Sequence, residues 1–304
     1  MKQYANYHKH DIISNIFVPD THVKCESYLK RIKELGYDCY WTTNHGSGGD
    51  IFEARDLCDK YGIKCFFGVE GYIVPNPLDK DNRNYHIIII PKTNEARKKV
   101  NYITSHASEE GFYYKPRIFL EDLLKLNKED IYLTSACVAG LMHDEDSIEL
   151  LLKPLVEHFG QNFFLEVQNH QDEFQKEINR KCLQFSKQYG LKLIAANDSH
   201  YIYPEDSKDR LEFLKGKGIN YGDEDTYVLD YPDYDTMFSR FQKQGILTDK
   251  EIEEAIDNTR IFETCEEIYL DKEIKMPSAY LNLNPDEKIE ELKKHINEKF
   301  AEIR

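Results

Sequence analysis

Strand-like and helix-like hydrophobic patterns alternate through the first two thirds of the chain and predict an α/β fold built on parallel strands. Glycines follow several of the helical patterns, as expected where a helix stops before the next strand. Residues able to bind metals recur at the edges of the hydrophobic runs, as in α/β barrels that carry their chemistry at the carboxyl ends of strands.

Taken in order, the patterns predict seven strands, at 3–8, 38–43, 64–69, 86–90, 130–134, 163–167 and 192–196. Helices are expected between them over 27–35, 51–61, 94–107, 118–126, 146–159 and 173–189, with Gly36, Gly62, Gly160 and Gly190 as stops. The run 75–83 reads as a polar, proline-bearing loop. Beyond residue 203 the character changes. A helix is expected at 204–217, an acidic tyrosine-rich stretch at 223–235, an amphipathic helix at 249–265, an extended linker at 276–285 and a charged helix at 285–304.

Composition narrows the classes. Of 304 residues, 40% are hydrophobic and 12% aromatic, enough for a folded core despite 31% charged residues. No apolar run reaches the ~18 to 20 residues that span a bilayer, and the N-terminus lacks a signal-peptide pattern, so a soluble, cytoplasmic protein without a membrane partner is expected. Seven cysteines, an odd number with no Cys-x-x-Cys, argue against a disulfide framework or zinc ribbon. Cys25, Cys39, Cys58, Cys65, Cys182 and Cys265 read as buried thiols, whereas Cys137 sits in a loop-like setting. A net charge of −15 argues against a broad basic face for duplex nucleic acid. It leaves room for a phosphate substrate, because two or three bound cations would dominate the local field.

The chemistry starts at Tyr7-His8-Lys9-His10-Asp11. At the end of an extended segment, period-2 alternation points His8 and His10 to the same side, where two imidazoles can share a cation. Such a site needs donors from elsewhere, and the chain offers His45, Glu70, His86, Cys137, Asp198 and His200. Only His86 opens its strand pattern instead of closing it, so the 86–90 run either is staggered or folds back against 66–74. Imidazole, carboxylate and thiolate together suit zinc or manganese, with iron or magnesium as alternatives. A carboxylate can bridge two such ions, and metal-assisted hydrolysis of a phosphate ester is the reaction best served. Histidines 22, 106, 143, 158 and 295 read as surface or helix residues, and Arg97-Lys98-Lys99 as a solvated helix face. Lys115 and Arg117 are candidates to grip a phosphate, and His170, closing the Gln-Asn-His of a strand pattern, to contact substrate.

In order, His8-Lys9-His10, Thr43-Asn44-His45-Gly46, Gly68-Val69-Glu70, His86 to Lys92, Glu110 to Arg117, Ser135-Ala136-Cys137, Glu166 to His170 and Ala196 to Tyr201 resemble the motifs of the polymerase and histidinol phosphatase (PHP) domain. Within that family the likeness is greatest to the N-terminal PHP domain of bacterial DNA polymerase III alpha subunits, and it runs over nearly the whole chain. The resemblance implies a distorted seven-stranded (β/α) barrel over 1–203, a mainly helical continuation over 204–275, and a linker with a terminal helix over 276–304. It also implies up to three divalent metals. His8, His10, Glu70 and Asp198 would hold the first, Glu70, His86 and Cys137 the second, and His45 and His200 the third with Asp20, or failing that Asp11. His8, His10, Glu70, Asp198 and His200 would be catalytic. One departure stands out: where the family usually has Asp before His-Gly, this chain has Asn44.

The leading expectation is a metal-dependent phosphoesterase acting as a 3′-5′ exonuclease on single-stranded DNA, in the setting of a polymerase or replisome, in a bacterial cell or a phage-infected host. The alternatives are a histidinol-phosphatase-like phosphomonoesterase for a small metabolite, and a non-catalytic, metal-stabilised module associated with a polymerase.

Overall fold

A computed structural model describes residues 2–49, 51–80, 83–220, 227–273 and 284–303. Residues 81–82 of the expected loop, 223–226 of the acidic stretch and 276–283 of the expected linker lie outside the described residues. Met1–Tyr269 form one unit and Leu270–Arg304 a second, whose described element is the helix Pro285–Ile303.

Eight strands form among the described residues instead of seven: β1 (Cys39–Trp41), β2 (Lys64–Phe66), β3 (Val69–Ile73), β4 (Tyr85–Pro91), β5 (Arg117–Ile118), β6 (Ile131–Thr134), β7 (Phe163–Gln168) and β8 (Lys192–Ala196). They make a parallel pair β1-β2 and a six-stranded sheet in the order β5-β3-β4-β6-β7-β8. The expected strand 64–69 is divided. At Gly68 a Cβ would meet the Thr43 methyl at 2.5 Å, so a glycine lets the chain pass between the sheets and start again at Val69. Strand β4 runs antiparallel to both neighbours, with Glu70 opposite Ile88 and Tyr72 opposite His86. The expectation of uniformly parallel strands is corrected here, and folding back places the beginning of β4 at the rim where Glu70 lies.

The expected strand 3–8 forms no ladder; just beyond it Lys9 makes a parallel bridge to Ser199. The His10 amide donates to the Ser199 carbonyl at 2.8 Å and the Ser199 amide to the His8 carbonyl at 3.2 Å. That pairing keeps the segment extended just past the end of β8. A second bridge joins His45 to Glu70 across the two sheets.

The helical readings largely hold. Ile51–Tyr61 and Glu173–Tyr189 have the expected bounds, and Gly36, Gly62, Gly160 and Gly190 all take positive φ. The helix expected at 118–126 shortens to Leu120–Leu124, and the one expected at 146–159 contains a π turn at Ile148–Leu152. Pro154, lacking an N–H, comes two residues later and accounts for the widened turn. The helix expected at 249–265 is α-helical only over Asp249–Asn258 and continues as a 3-10 turn, Thr259–Thr264. Its Phe262 packs edge-on against Tyr7 at 4.8 Å, inside a core with Trp41, Phe66, Ile88, Phe164 and Ile194. The segment after residue 203 thus supplies part of the core beneath the site. Among the described residues, no helix is long and apolar enough to cross a membrane.

Candidate metal centre

Donors from seven separate segments meet at one rim. The His8 and His10 Nε2 atoms lie 3.2 and 3.0 Å from the same oxygen of Asp198, so the same-side reading of the His-x-His holds. Glu70 is the hub. Oε1 lies 3.2 Å from His8 Nε2 and 2.9 Å from His86 Nδ1, and Oε2 lies 3.1 Å from His10 Nε2 and 2.8 Å from His45 Nδ1. The Cys137 Sγ is 3.5 Å from His86 Nδ1 and 3.9 Å from Glu70. Across the rim, Asp20 lies 2.7 Å from His200 Nε2 and 3.6 Å from His45 Nε2, and Arg210 pairs with its other oxygen.

Backbone form explains the aim of two of these side chains. Asp198, just past β8, has φ +52°, and Ala136, in the loop that carries Cys137, has φ +57°. Non-glycine residues in that region are held there by their surroundings, and they concentrate at functional sites. Asp20, not the fallback Asp11, joins the site: Asp11 accepts from the Ile13 amide at a helix start and from the Tyr40 hydroxyl.

The rim opens on a cavity of about 300 Å³, lined by Asp20, His45, His86, Cys137, Asp198 and His200, with Lys115, His170 and Tyr227 around them. Lys115 Nζ sits 4.5 Å above the Tyr72 ring, and among the described residues neither ring nitrogen of the buried His170 has a hydrogen-bond partner. Arg117 corrects an expectation. It is buried and donates to the backbone carbonyls of Gly111 and Asp79, at 3.1 and 2.8 Å, and to that of Pro77, so its guanidinium braces a loop and does not line the cavity.

Residues 7–170 match the PHP domain family. The chain belongs to the PHP family. Its relatives include the DNA polymerase III subunit alpha of Borreliella burgdorferi, 28% identical over 281 residues covering 87% of this chain and 24% of that protein. The same subunit of Aquifex aeolicus is 28% identical over 295 residues, covering 86% and 25%, and that of Helicobacter pylori 30% identical over 226 residues, covering 68% and 18%. The chain spans about a quarter of the length of the first two. Among solved structures, a two-domain Bacteroides vulgatus protein containing a predicted PHP-like metal-dependent phosphoesterase aligns at 15% identity and TM-score 0.43, over 70% of this chain and 55% of that one.

The donor set fits divalent cations, which the PHP family implies. Among the described residues, the buried atoms His8 Nε2, His10 Nε2, His45 Nδ1, Glu70 Oε2 and Asp198 Oδ1 face one another at 2.8–3.2 Å without a well-formed hydrogen bond, an arrangement that would be costly unless a cation or proton joined them. Among the described residues, three groups have donor atoms within 4.8 Å of one another: His8-His10-Asp198, His45-Glu70-His86 and His10-His45-His200. Burial works against charge throughout the cluster, but opposite charges prevail. The histidines hold Glu70 well below the usual carboxylate range; His8 and His200 hold Asp198 below it; His200, His45 and Arg210 do the same to Asp20. Conversely, Asp198, Glu166 and Glu70 hold His8 well above the usual histidine range, and Glu70 and Asp20 lift His45 to about 9. His10 goes the other way, lowered by burial and by His45. Burial pushes the Cys137 thiol well up, and Asp198 and Glu70 add to it.

Two neighbours of the site escaped the sequence reading. Arg210 lies on the helix Ser207–Gly216, too far along the chain for spacing to connect it with Asp20. Glu166 stood inside a recognised motif, but its type alone gives no direction. Asn44 accepts from the Asp11 amide at 2.9 Å and from the Ser14 hydroxyl at 2.8 Å.

Proposed function

We propose that this chain is a metal-dependent phosphoesterase that removes nucleotides from the 3′ end of single-stranded DNA, in the setting of a replicative polymerase. The observation that carries the reading is the convergence of buried histidine and carboxylate donor atoms around Glu70 and Asp198, beside a cavity lined by Asp198, His45, His86 and His200. On this reading His8, His10, Glu70 and Asp198 hold one cation, Glu70, His86 and Cys137 a second, and Asp20, His45 and His200 a third. Bound there, zinc or manganese would supply Lewis acidity to the phosphoryl oxygens and acidify water near neutral pH. Lys115 faces the substrate phosphate from the rim, and His170 offers a ring nitrogen to the substrate. Arg210 keeps Asp20 ionised and aimed at His200. The bridges Lys9–Ser199 and His45–Glu70 support reading the two sheets as one distorted barrel.

DNA is the substrate favoured by similarity to DNA polymerase III alpha subunits across most of this chain. A small phosphomonoester is the second reading, favoured by a cavity of only about 300 Å³ in a chain of net charge −15. Incubation of the protein with a 5′-labelled oligonucleotide and with generic phosphomonoesters, each with manganese or zinc, separates them. A ladder shortened from the 3′ end supports the exonuclease, and phosphate released only from monoesters supports the phosphatase. Metal uptake with no hydrolysis of either would leave a structural, polymerase-associated module.

A further inference from the structure

We infer that Glu166 is a positioning residue of the metal centre: it fixes His8 with Nδ1 protonated and the Nε2 lone pair turned toward Glu70 and Asp198. The inference rests on the metal-binding reading above.

Glu166 lies on β7, 1% exposed, and period-2 alternation puts Gln168 on the same face. Both of its oxygens are saturated. Oε1 lies 2.7 Å from His8 Nδ1 and accepts from Gln168 Nε2 at 2.8 Å; Oε2 accepts from the hydroxyls of Tyr7 and Thr134, each at 2.8 Å. An ionised carboxylate offers about four acceptor sites and no proton, and here all four face a group able to donate. His8 Nδ1 therefore carries its hydrogen toward Glu166, so Nε2, 3.2 Å from both Glu70 and Asp198, is the nitrogen whose lone pair a cation would take once it displaces the proton held there.

The partner of the other histidine is different in kind. The Ser14 hydroxyl donates to Asn44 Oδ1 at 2.8 Å, so its oxygen is left to accept from His10 Nδ1 at 2.9 Å. His10 is thus turned the same way as His8 but backed by a neutral alcohol and a neutral amide. With a neutral alcohol and amide behind His10, Glu166 supplies the carboxylate behind the His-x-His. A carboxylate behind a ligating histidine sets its tautomer and orientation, and its loss commonly weakens metal binding 10- to 100-fold.

Glu166→Gln tests this, since an amide nitrogen can face the Tyr7 and Thr134 hydroxyls, which rotate to accept. In competition with a chromophoric chelator, the variant should bind zinc about 10- to 100-fold more weakly than the wild type, while the chelated variant keeps its circular dichroism and cooperative melting. A second measurement needs no variant. In zinc-loaded wild type labelled with 15N-histidine, long-range proton-nitrogen spectra should place the His8 proton on Nδ1 and the coordination shift on Nε2. Zinc held through His8 Nδ1, or equal affinity in Glu166→Gln, would overturn the inference and leave the metal reading standing. A wild type that takes up no zinc or manganese would overturn both.

Discussion

Glu70 shows how one side chain concentrates the behaviour of this site, because four imidazoles from three separate segments lie within 3.2 Å of its two oxygens. Glu70→Gln keeps the shape and removes the charge. Divalent-metal affinity should fall at least about 100-fold, about 3 kcal/mol, as expected when one partner of a buried charge cluster is removed, as read by chelator competition. Asn44→Asp should act in the opposite direction, tightening binding several-fold by adding charge behind His10. Residue type and place at strand-pattern edges singled out His8, His10, His45, Glu70, His86, Cys137, Asp198 and His200 as candidates, and the fold brings them to one rim. Type could not tell Asp20 from Asp11, nor foresee that Arg117 turns away from the cavity. Arg117→Ala should therefore cost stability, about 2–3 kcal/mol for the buried carbonyls it abandons, and leave KM for any substrate unchanged. A raised KM with unaltered melting would restore Arg117 to the binding site.

Elements place these residues through a few local devices. The break at Gly68 and the reversal at β4 bring Glu70 and His86 to one rim, and neither follows from hydrophobic periodicity, which reports burial but not strand direction. The helix Tyr234–Gln244 was missed too, although its signals were present: Asp233 accepts from the Thr236 amide at its start, and Gly245 closes it at φ +72°. The acidic, tyrosine-rich residues before it masked the pattern. The loop after β6 depends on Gly140, where a Cβ would lie 2.0 Å from the Ser135 carbonyl oxygen. Gly140→Ala should cost about 1–3 kcal/mol and displace Cys137. In the cobalt-substituted protein the thiolate-to-cobalt absorption should weaken while binding at the histidines of the opposite side persists; an unchanged band would mean that Cys137 is not held by this loop.

At the scale of the whole molecule, stability and metal uptake are linked through pH. In the chelated protein the lowered carboxyls of Glu70, Asp198 and Asp20 contribute stability above the ordinary carboxylate range and lose it on acidification. The raised histidines His8, His45 and His200 contribute below the ordinary histidine range and lose it as pH rises, for His45 through about 9. His10, lowered, opposes them on the acid side. The melting temperature of chelated protein should thus fall between pH 7 and 9, and metal should restore it most at the alkaline end, with protons released on binding at neutral pH. Calorimetry in buffers of different ionisation enthalpy counts those protons. The broad plan, an α/β sheet with the site at one rim, was legible because the alternating patterns are long. The division into two sheets was not, because it turns on single glycines and single bridges.

The most direct test is elemental analysis of wild type and Asp198→Ala, each reconstituted with manganese or zinc and freed of loose ions. The account predicts more than one equivalent of metal per wild-type chain and a marked loss in the variant, with circular dichroism unchanged. Equal metal content in the two proteins, or none in either, would contradict it.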